Sequence, residues 1–386
     1  MTSCYFIRPL DVISVRGNRS FGGSGEYGEV IMPPWPSLFA GALRSAMLGR
    51  DPAALAAFGP GKPQAAGILG EVLGTPERPG TFRIEWASLG RVDFKSGECD
   101  VAMPLPADLV ALSVGNATEL HRLTPMLPPA GINTTFPLPL IPVLRNGGRA
   151  KPETGRFLAG RSIENYIAGD TLPMNPLPAR NLYLRETRVG IALDSQTATA
   201  KEGALYSTEV VSFHAECGFV VRVSTGHINP EELLPSGSLL RLGGDGKGAV
   251  CQSMPHFSLP SAPLAQIEQD RSFRLVLTSP GIFNQGWLPD RTRGTRLEGE
   301  GFSAELVCAA IPRASVISGW DLANWRPKPA QRVAPAGSVY WFNDFNGDPS
   351  KLAKWVASGL WGDNPDVQRQ AEGFNRAMLA AWHQEN

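Results

Sequence analysis

The sequence predicts an α+β protein of two β-rich halves, and three observations carry that expectation. Apolar residues alternate with polar ones far more often than they recur at helical spacing. The 42 glycines and 34 prolines make up roughly a fifth of the chain, against an average of about 12%. With 42% hydrophobic residues and no repeated run, that excess marks many short elements joined by turns. Strands with a few helices in each half fit layered sheets and helices better than a parallel doubly wound sheet. At about 150 residues per domain, the 386 residues allow two to three domains.

The elements follow in order. A first strand lies in MTSCYFIRPLDVISV, and Arg16 and Arg19 fall in the polar turn after it. Met32-Pro33-Pro34-Trp35-Pro36 cannot be helical and sets a sharp entry. A helix then runs from a Ser37 cap through Met47, with Leu38, Phe39, Ala42, Leu43, Ala46 and Met47 as its apolar stripe. Arg44 lies about 240° around the wheel from Leu38, so it is expected to reach outward. Phe82, Ile84 and Trp86 alternate with Arg83 and Glu85, which places the three on one face of a strand. From about 125 to 178 prolines recur and periodicity disappears, broken only by a short helix at Ser162–Ile167. This reads as an insertion or linker, closing an N-terminal half at 1–185 and leaving a C-terminal half at 186–386.

Strands are expected at Arg188–Leu193, Leu205–Phe213, Gly218–Ser224, Ser238–Leu242, Ser272–Thr278, Glu305–Ile311 and Ser338–Phe342. A helix is expected at Lys351–Gly359. The polar stretch Asp194–Gly203 between two strands is long for a hairpin tip and should project from the body.

Composition excludes several classes. Thirty-six Lys and Arg balance 36 Asp and Glu, so this is no histone-like coat, though positive charge can still gather on one face. Five cysteines without C-x-x-C spacing argue against a disulfide scaffold and a zinc ribbon. No apolar run approaches the roughly 18 residues of a membrane span, and no signal-peptide pattern opens the chain. The expectation is a soluble, cytoplasmic protein without contact to membrane.

Catalytic spacing is lacking too. His121, His214, His227, His256 and His383 never fall in H-x-x-x-H or H-E-x-x-H order, and no metal ligation is expected. Glu231-Glu232 after Asn229-Pro230 read as the acidic first turn of a helix. Leu242-Gly243-Gly244-Asp245-Gly246-Lys247-Gly248 fails as a nucleotide P-loop, because Arg241 stands at the first glycine position and Gly248 follows the lysine. It is a turn between strands, or a turn in which Gly243, Gly244 and Lys247 also approach a phosphate.

Basic residues cluster. Arg145, Arg149, Lys151, Arg156 and Arg161 meet only Glu153. Arg291, Arg293 and Arg296 follow Trp287, while Arg313, Arg326, Lys328 and Arg332 surround Trp320 and Trp325. Arginine beside aromatics suits single-stranded nucleic acid, where guanidinium meets phosphate and rings stack bases; solvated loop charge is the other reading.

The opening Ile7–Val12, Pro33-Pro34 and Ser37-x-x-x-Gly41-Ala42-Leu43-Arg44 resemble the start of RAMP proteins of CRISPR effector complexes. Arg188-Val189-Gly190-Ile191, Glu202-Gly203-x-Leu205-Tyr206-Ser207, Leu240–Gly246, Thr278–Phe283, Ser318-Gly319-Trp320-Asp321 and Val333–Tyr340 follow. Taken in this order they resemble the family of subunit three of the Cmr complex, the type III-B effector. The resemblance implies two ferredoxin-like, RRM-related halves with long insertions. It also implies a subunit that is not an enzyme, needs no cofactor, and grips the repeat-derived 5′ tag of the crRNA near target RNA. Such a subunit joins the large polymerase-like subunit to the backbone RAMP subunit. With the basic clusters, it marks Arg16, Arg19, Arg44, Arg161, Arg188, Gly243, Gly244, Lys247, Arg291, Arg293 and Arg296 as RNA-binding candidates. Two other functions stay open: a metal-independent RAMP endoribonuclease maturing crRNA, which needs a histidine as base, and a purely architectural subunit. RAMP proteins commonly end in a G-F-G loop before a last strand. Here the loop reads Gly373-Phe374-Asn375, and the helical propensity of Arg376–Ala381 speaks against that strand.

Overall fold

The computed structural model describes residues 1–17, 27–59, 61–62, 67–115, 117–145, 151–169, 176–194, 196–243, 246–254, 257–321 and 323–384. The chain begins with β1 (Thr2–Pro9), then α1 (Pro36–Leu48), α2 (Pro52–Ala57) and α3 (Gly67–Leu73). Next come β2 (Phe82–Val92), β3 (Cys99–Pro104), β4 (Arg156–Ala159) and α4 (Arg161–Ala168). A long hairpin, β5 (Tyr183–Leu193) and β6 (Ala200–Phe213), leads to β7 (Cys217–Thr225), α5 (Pro230–Leu233), β8 (Ser238–Leu242) and β9 (Lys247–Ser253). These strands, apart from the hairpin, form an antiparallel sheet in the order β4-β3-β2-β7-β1-β9-β8, extended at the β4 edge by Leu177–Pro178.

The second sheet begins after α6 (Leu264–Asp270) with β10 (Phe273–Leu277), β11 (Thr292–Arg293), β12 (Arg296–Gly299) and β13 (Phe302–Ala310). Two short ladders follow, β14 (Ser315–Ile317) with β17 (Gln331–Val333) and, between them, β15 (Trp320–Asp321) with β16 (Arg326–Pro327). The chain closes with β18 (Val339–Gly347), α7 (Pro349–Ser358), α8 (Val367–Glu372) and β19 (Ala377–Ala381). The order in this sheet is β11-β12-β13-β18-β10-β19.

The two sheets lie face to face. Strand periodicity assigns alternate residues to two different cores. Tyr5 and Ile7 pack with Phe39, Leu43 and Met47 of α1, while Phe6 between them points to the second sheet. In the second sheet Leu275 and Phe342 pack with Ile267 of α6 and Leu352 of α7, while Val276 and Trp341 meet Phe6, Trp86 and Val220. The result is four layers: helices, sheet, sheet, helices. Strands buried on both faces read as continuous apolar runs, as in the fully buried β10.

Arg274 interrupts that run and is buried in the core between the sheets. Its Nη1 donates to Asp108 Oδ2 at 2.6 Å, Nη2 to the Tyr166 carbonyl at 2.9 Å and Nε to the Ala381 carbonyl at 3.0 Å. The Tyr166 hydroxyl donates to Asp108 Oδ1 at 2.8 Å, and its ring lies 4.5 Å from the guanidinium. One ion pair therefore ties a loop after β3, the helix α4 and two strands of the second sheet.

The structure departs from expectation in five places. α1 begins at Pro36 rather than after a Ser37 cap: Trp35 is the N-cap residue and makes no side-chain cap bond, and proline is tolerated at the first helical position, where its missing N–H has no partner to lose. Phe82 and Ile84 enter the helix-side core, but Trp86 enters the core between the sheets. Ile84 lies opposite Val223 and Trp86 opposite Arg222, so Glu85 is the extra residue of a β-bulge that switches faces. The change of sheet falls between Ser253 and Phe273 rather than at 185/186, because β7, β8 and β9 all pair in the first sheet. The proline-rich stretch is no mere linker: β4 extends the first sheet and α4 buries Ile163, Tyr166 and Ile167 between the sheets. Finally, 377–381 is a strand. Its pairing with β10 and the burial of Leu379, Ala380 and Ala381 override local helix propensity.

Candidate nucleic-acid interface

The predicted cationic residues do not form one patch. Arg19 and Gly244 lie outside the described residues. Arg161 is exposed at the first position of α4. Arg291 pairs with Asp363 at 3.0 Å, and Arg296 with Glu305 at 3.0 Å and Glu298 at 3.4 Å. The hydrogen bond from Arg296 to Glu305 raises the arginine pKa further. Both charges are already met by carboxylates, which weakens them as phosphate ligands; Arg293 between them is exposed on β11.

Lys247 and Arg188 both act on Asp11, Arg188 from midway along the hairpin, opposite Thr208 and 3.6 Å from Glu186, while Gly243 lies in the turn before β9. Gly243 has φ 82°, and a Cβ there would meet the Ser14 carbonyl at 2.7 Å, so the turn needs glycine. Lys247 lies 3.7 Å from Asp11. The Val12 amide, with Lys247 and Arg188 adding to it, holds the Asp11 carboxyl below its usual range. Arg16 is exposed nearby in the chain, where its backbone bridges to Val30. β5 and β6 pair from Tyr183 opposite Phe213 to Leu193 opposite Ala200, and β5 is exposed almost throughout beyond Tyr183. Val189, Ile191, Leu193 and Leu205 remain exposed on one of its faces.

Arg44 turns the other way from expectation. Its guanidinium sits 4.9 Å over the Phe82 ring, and its Nε and Nη2 are buried without a hydrogen-bond partner. Burial pulls its pKa down to about 10, with Arg83 opposing and Glu372 favouring the charge. A single-helix wheel could not show that β2 and α8 pack against α1 and leave this side chain half-buried.

Arg44 is one of three arginines at the seam between the halves whose pKa burial lowers. Arg83, on β2, donates to the Gly80 and Phe82 carbonyls at 2.6 and 2.7 Å, and burial lowers its pKa. Arg376 follows the Gly373-Phe374-Asn375 loop. Its Nη1 donates to the Ala357 carbonyl at 2.7 Å, but its Nε is buried and unpartnered. Burial lowers its pKa too, with Arg83 adding repulsion and Glu85 opposing it. The nearby carboxylates are engaged elsewhere: Glu85 with Arg222 at 3.1 Å, and Glu372 with Lys328 and with Arg369 at 3.1 Å.

The loop that delivers Arg376 is tightly held. Gly373 (φ 90°) abuts β2, where a Cβ would come 2.8 Å from Ile84 Cβ. Phe374 is buried with Ile317, Val333 and Trp361. Asn375 adopts φ 58° and its side chain brackets Ile282, accepting from the amide at 2.6 Å and donating to the carbonyl at 3.1 Å. Sequence reading missed Arg83 and Arg376 as site residues. The G-F-N loop was the only signal near Arg376, and Arg83 looked like the polar half of an alternating strand.

Among the described residues no group of His, Cys, Asp and Glu could hold a metal ion. His121 lies 3.3 Å from Glu119, His227 3.2 Å from Glu71 and His383 2.8 Å from Asp270. No helix among these residues is long and apolar enough to cross a membrane.

Two facing antiparallel sheets with helices outside and a cationic seam make this a strand-rich α/β protein. The model of the family described as CRISPR-associated protein (Cas_Cmr3) matches residues 5–382. The chain belongs to this family and is a Cmr3-type subunit of a type III-B CRISPR effector. Similar solved structures include the type III-B Cmr-beta complex bound to cognate target RNA, with 15% identity over 97% of this chain and 96% of that chain, TM-score 0.49. The same complex with target RNA and AMPPnP gives 16% identity over 97% and 96%, TM-score 0.47. The Csm3–Csm4 subcomplex of the type III-A interference complex gives 11% over 90% and 94%, TM-score 0.35. No curated protein matches.

Proposed function

We propose that this subunit is non-catalytic and binds guide RNA, holding the repeat-derived 5′ tag of the crRNA at the seam between two ferredoxin-like halves. In the same reading it bridges the large polymerase-like subunit and the backbone subunit. The strand orders support the two halves. In β9-β1-β7-β2 and in β19-β10-β18-β13 the strands run fourth, first, third, second of a βαββαβ unit. In the second unit the segment 278–301, which carries the short strands β11 and β12, stands where the first helix would be.

The observation that carries the RNA reading is the seam itself: Arg44, Arg83 and Arg376 crowd together, with three guanidinium nitrogens buried and unpartnered. An unmet buried donor costs about 1–3 kcal/mol, and more when charged. A phosphate supplies several acceptor oxygens and the opposite charge. A spacer differs in every guide, so a subunit serving all guides gains by reading only the constant tag, whose unstacked bases present their edges.

The test compares RNAs with the native tag, an altered tag and a scrambled spacer. Altered tags should bind more weakly by about 1–3 kcal/mol for each lost base contact, borrowing the scale of base-edge pairs; scrambled spacers should not. Arg44→Ala should narrow the gap between correct and altered tags. Each phosphate contact contributes about −0.7 to the slope of log K against log salt, so replacing Arg83 or Arg376 should flatten it, while Arg296→Ala should not. A tag-blind assembled complex overturns the assignment, as does RNA turnover that disappears on substituting one histidine.

A further inference from the structure

Residues 313–333 build a two-tier hairpin that the seam does not use. Its root is fixed. Ile317 and Val333 are buried against Trp361 and Phe374. Arg369 donates from Nε to Gln331 Oε1 at 2.9 Å and from Nη2 to the Ser318 carbonyl at 3.1 Å, with its guanidinium 5.2 Å from the Phe374 ring. The Lys328 amide donates to the Gly319 carbonyl at 2.9 Å, and its ammonium pairs with Glu372.

The upper tier is as tightly set. Trp320 pairs opposite Pro327, and Asp321 opposite Arg326. The Asp321 carboxylate accepts from the Ala323 and Asn324 amides at 3.1 Å and from Asn324 Nδ2 at 2.9 Å. Trp325 is held at φ 51°, a backbone region that costs a bulky residue energy unless its surroundings impose it. The outcome is two indoles edge to face, with centroids 5.8 Å apart and an interplanar angle of 87°. They are 50% and 73% exposed. Folding gains little from rings kept in water on a strained, locked turn.

The chemistry around them selects the occupant. Arg313, Arg326 and Arg332 are exposed and have no carboxylate partner among the described residues. Protein-binding hot spots sit inside an apolar patch that excludes water; here the apolar neighbours are Pro327 and Val316, themselves exposed, and Arg332 stands opposite Val316. Open π faces interleaved with free guanidinium groups suit single-stranded nucleic acid. The hairpin also adjoins the seam, because Glu372 pairs with Lys328 and acts electrostatically on Arg44.

The geometry points to Trp320 and Trp325 as a stacking corner for one unpaired nucleobase of the RNA strand whose phosphates lie at the seam. One ring stacks on the base, the other borders its edge, and Arg326 and Arg332 meet the flanking phosphates. This rests on the guide-RNA reading above. The test measures binding of the full chain to single-stranded RNA carrying the tag, and to RNAs with an abasic residue at each tag position in turn.

At one position the abasic RNA should bind wild type about 5- to 150-fold more weakly, the range of a lost base–aromatic stack. The Trp320→Ala/Trp325→Ala variant should lose that discrimination with its salt slope unchanged, and Trp320→Phe/Trp325→Phe should keep most of it. Undiminished discrimination in the alanine variant, with a normal salt slope, overturns the stacking corner and leaves the guide-RNA reading standing. Full discrimination by a variant that drops out of the assembled effector also overturns it, assigning the rings to a protein contact. No RNA binding by wild type overturns the guide-RNA reading and the stacking corner together.

Discussion

Arg274→Met tests what holds the two halves in register. In the wild type the guanidinium meets Asp108, the Tyr166 carbonyl and the Ala381 carbonyl inside the core between the sheets, and both charged side chains are at most 1% exposed. Removing the cation leaves the Asp108 carboxylate buried, with the Tyr166 hydroxyl as its remaining side-chain donor. Breaking one member of such a pair costs about 3–5 kcal/mol, against a total stability of about 5–15 kcal/mol. Asp108→Asn should cost a similar amount, because it leaves the cation unmatched. The double variant has no buried charge left, so its loss should be smaller than the sum of the two single losses by more than about 1 kcal/mol. Urea unfolding followed by tryptophan fluorescence and by circular dichroism measures all three, with coincident transitions needed for a two-state value. Single losses below about 1 kcal/mol, or strict additivity, would refute the view that this pair locks the sheets.

Three further predictions follow from separate places in the fold. Burial pushes the Cys251 and Cys308 thiols up to about 12. They stay protonated in the folded state while the unfolded state ionises near 9, so stability should fall as pH rises from 9 towards 12. The slope is about 1.4 kcal/mol per pH unit per thiol, and an unchanged denaturant midpoint between pH 9 and 10.5 would contradict it. Asn375→Gly keeps the left-handed backbone but loses the side-chain bonds to Ile282 and Leu360; it should destabilise by about 1–3 kcal/mol, and a neutral effect in the same titration would show those bonds to be dispensable. Shortening Asp194–Gly203 to a two-residue turn should leave folding intact yet disturb guide–target pairing near the tag, and normal pairing there in the assembled effector would reduce the tip to a surface loop.

The strands were legible because their residues alternate, and the helix after Pro36 because its stripe is continuous. What the pattern could not show is where alternation breaks. Nothing about Glu85 marks it as a bulge residue, yet that one extra residue sends Trp86 between the sheets and leaves Phe82 and Ile84 under the helices. The last strand was hidden for a related reason: Ala377–Ala381 has no local β preference, and its conformation comes from the edge that β10 offers. The candidate site was legible only as composition. Arg291 and Arg296 stand out in sequence, but Asp363 and Glu305 meet them in space. Arg83 and Arg376 are inconspicuous in sequence and come together with Arg44 only after both sheets have formed. Asn375 takes the left-handed backbone at φ 58°, which asparagine tolerates because its short polar side chain can hydrogen-bond locally.

The seam carries a further consequence for stability. Arg44 is charged at neutral pH, but burial holds its pKa at about 10, so the fold opposes the charge it houses. A base with a lowered folded-state pKa weakens the fold below that pKa, and the penalty disappears only as pH rises through about 10 towards the higher, ordinary arginine value of the unfolded chain. At pH 7 the penalty is therefore present in full. Arg44→Met removes it while keeping an unbranched side chain over the Phe82 ring, where sulfur packs well against an aromatic. The variant should be as stable as wild type or more stable, by up to about 1–3 kcal/mol, while binding tagged RNA more weakly and with a shallower salt slope. Denaturant titration and RNA titration on the same preparation decide between two outcomes. A stability loss above about 1 kcal/mol would mean the guanidinium is satisfied without RNA, and the seam would then be ordinary packing. Stability gained with affinity lost would mark Arg44 as a residue the fold keeps at its own expense for the sake of an anion.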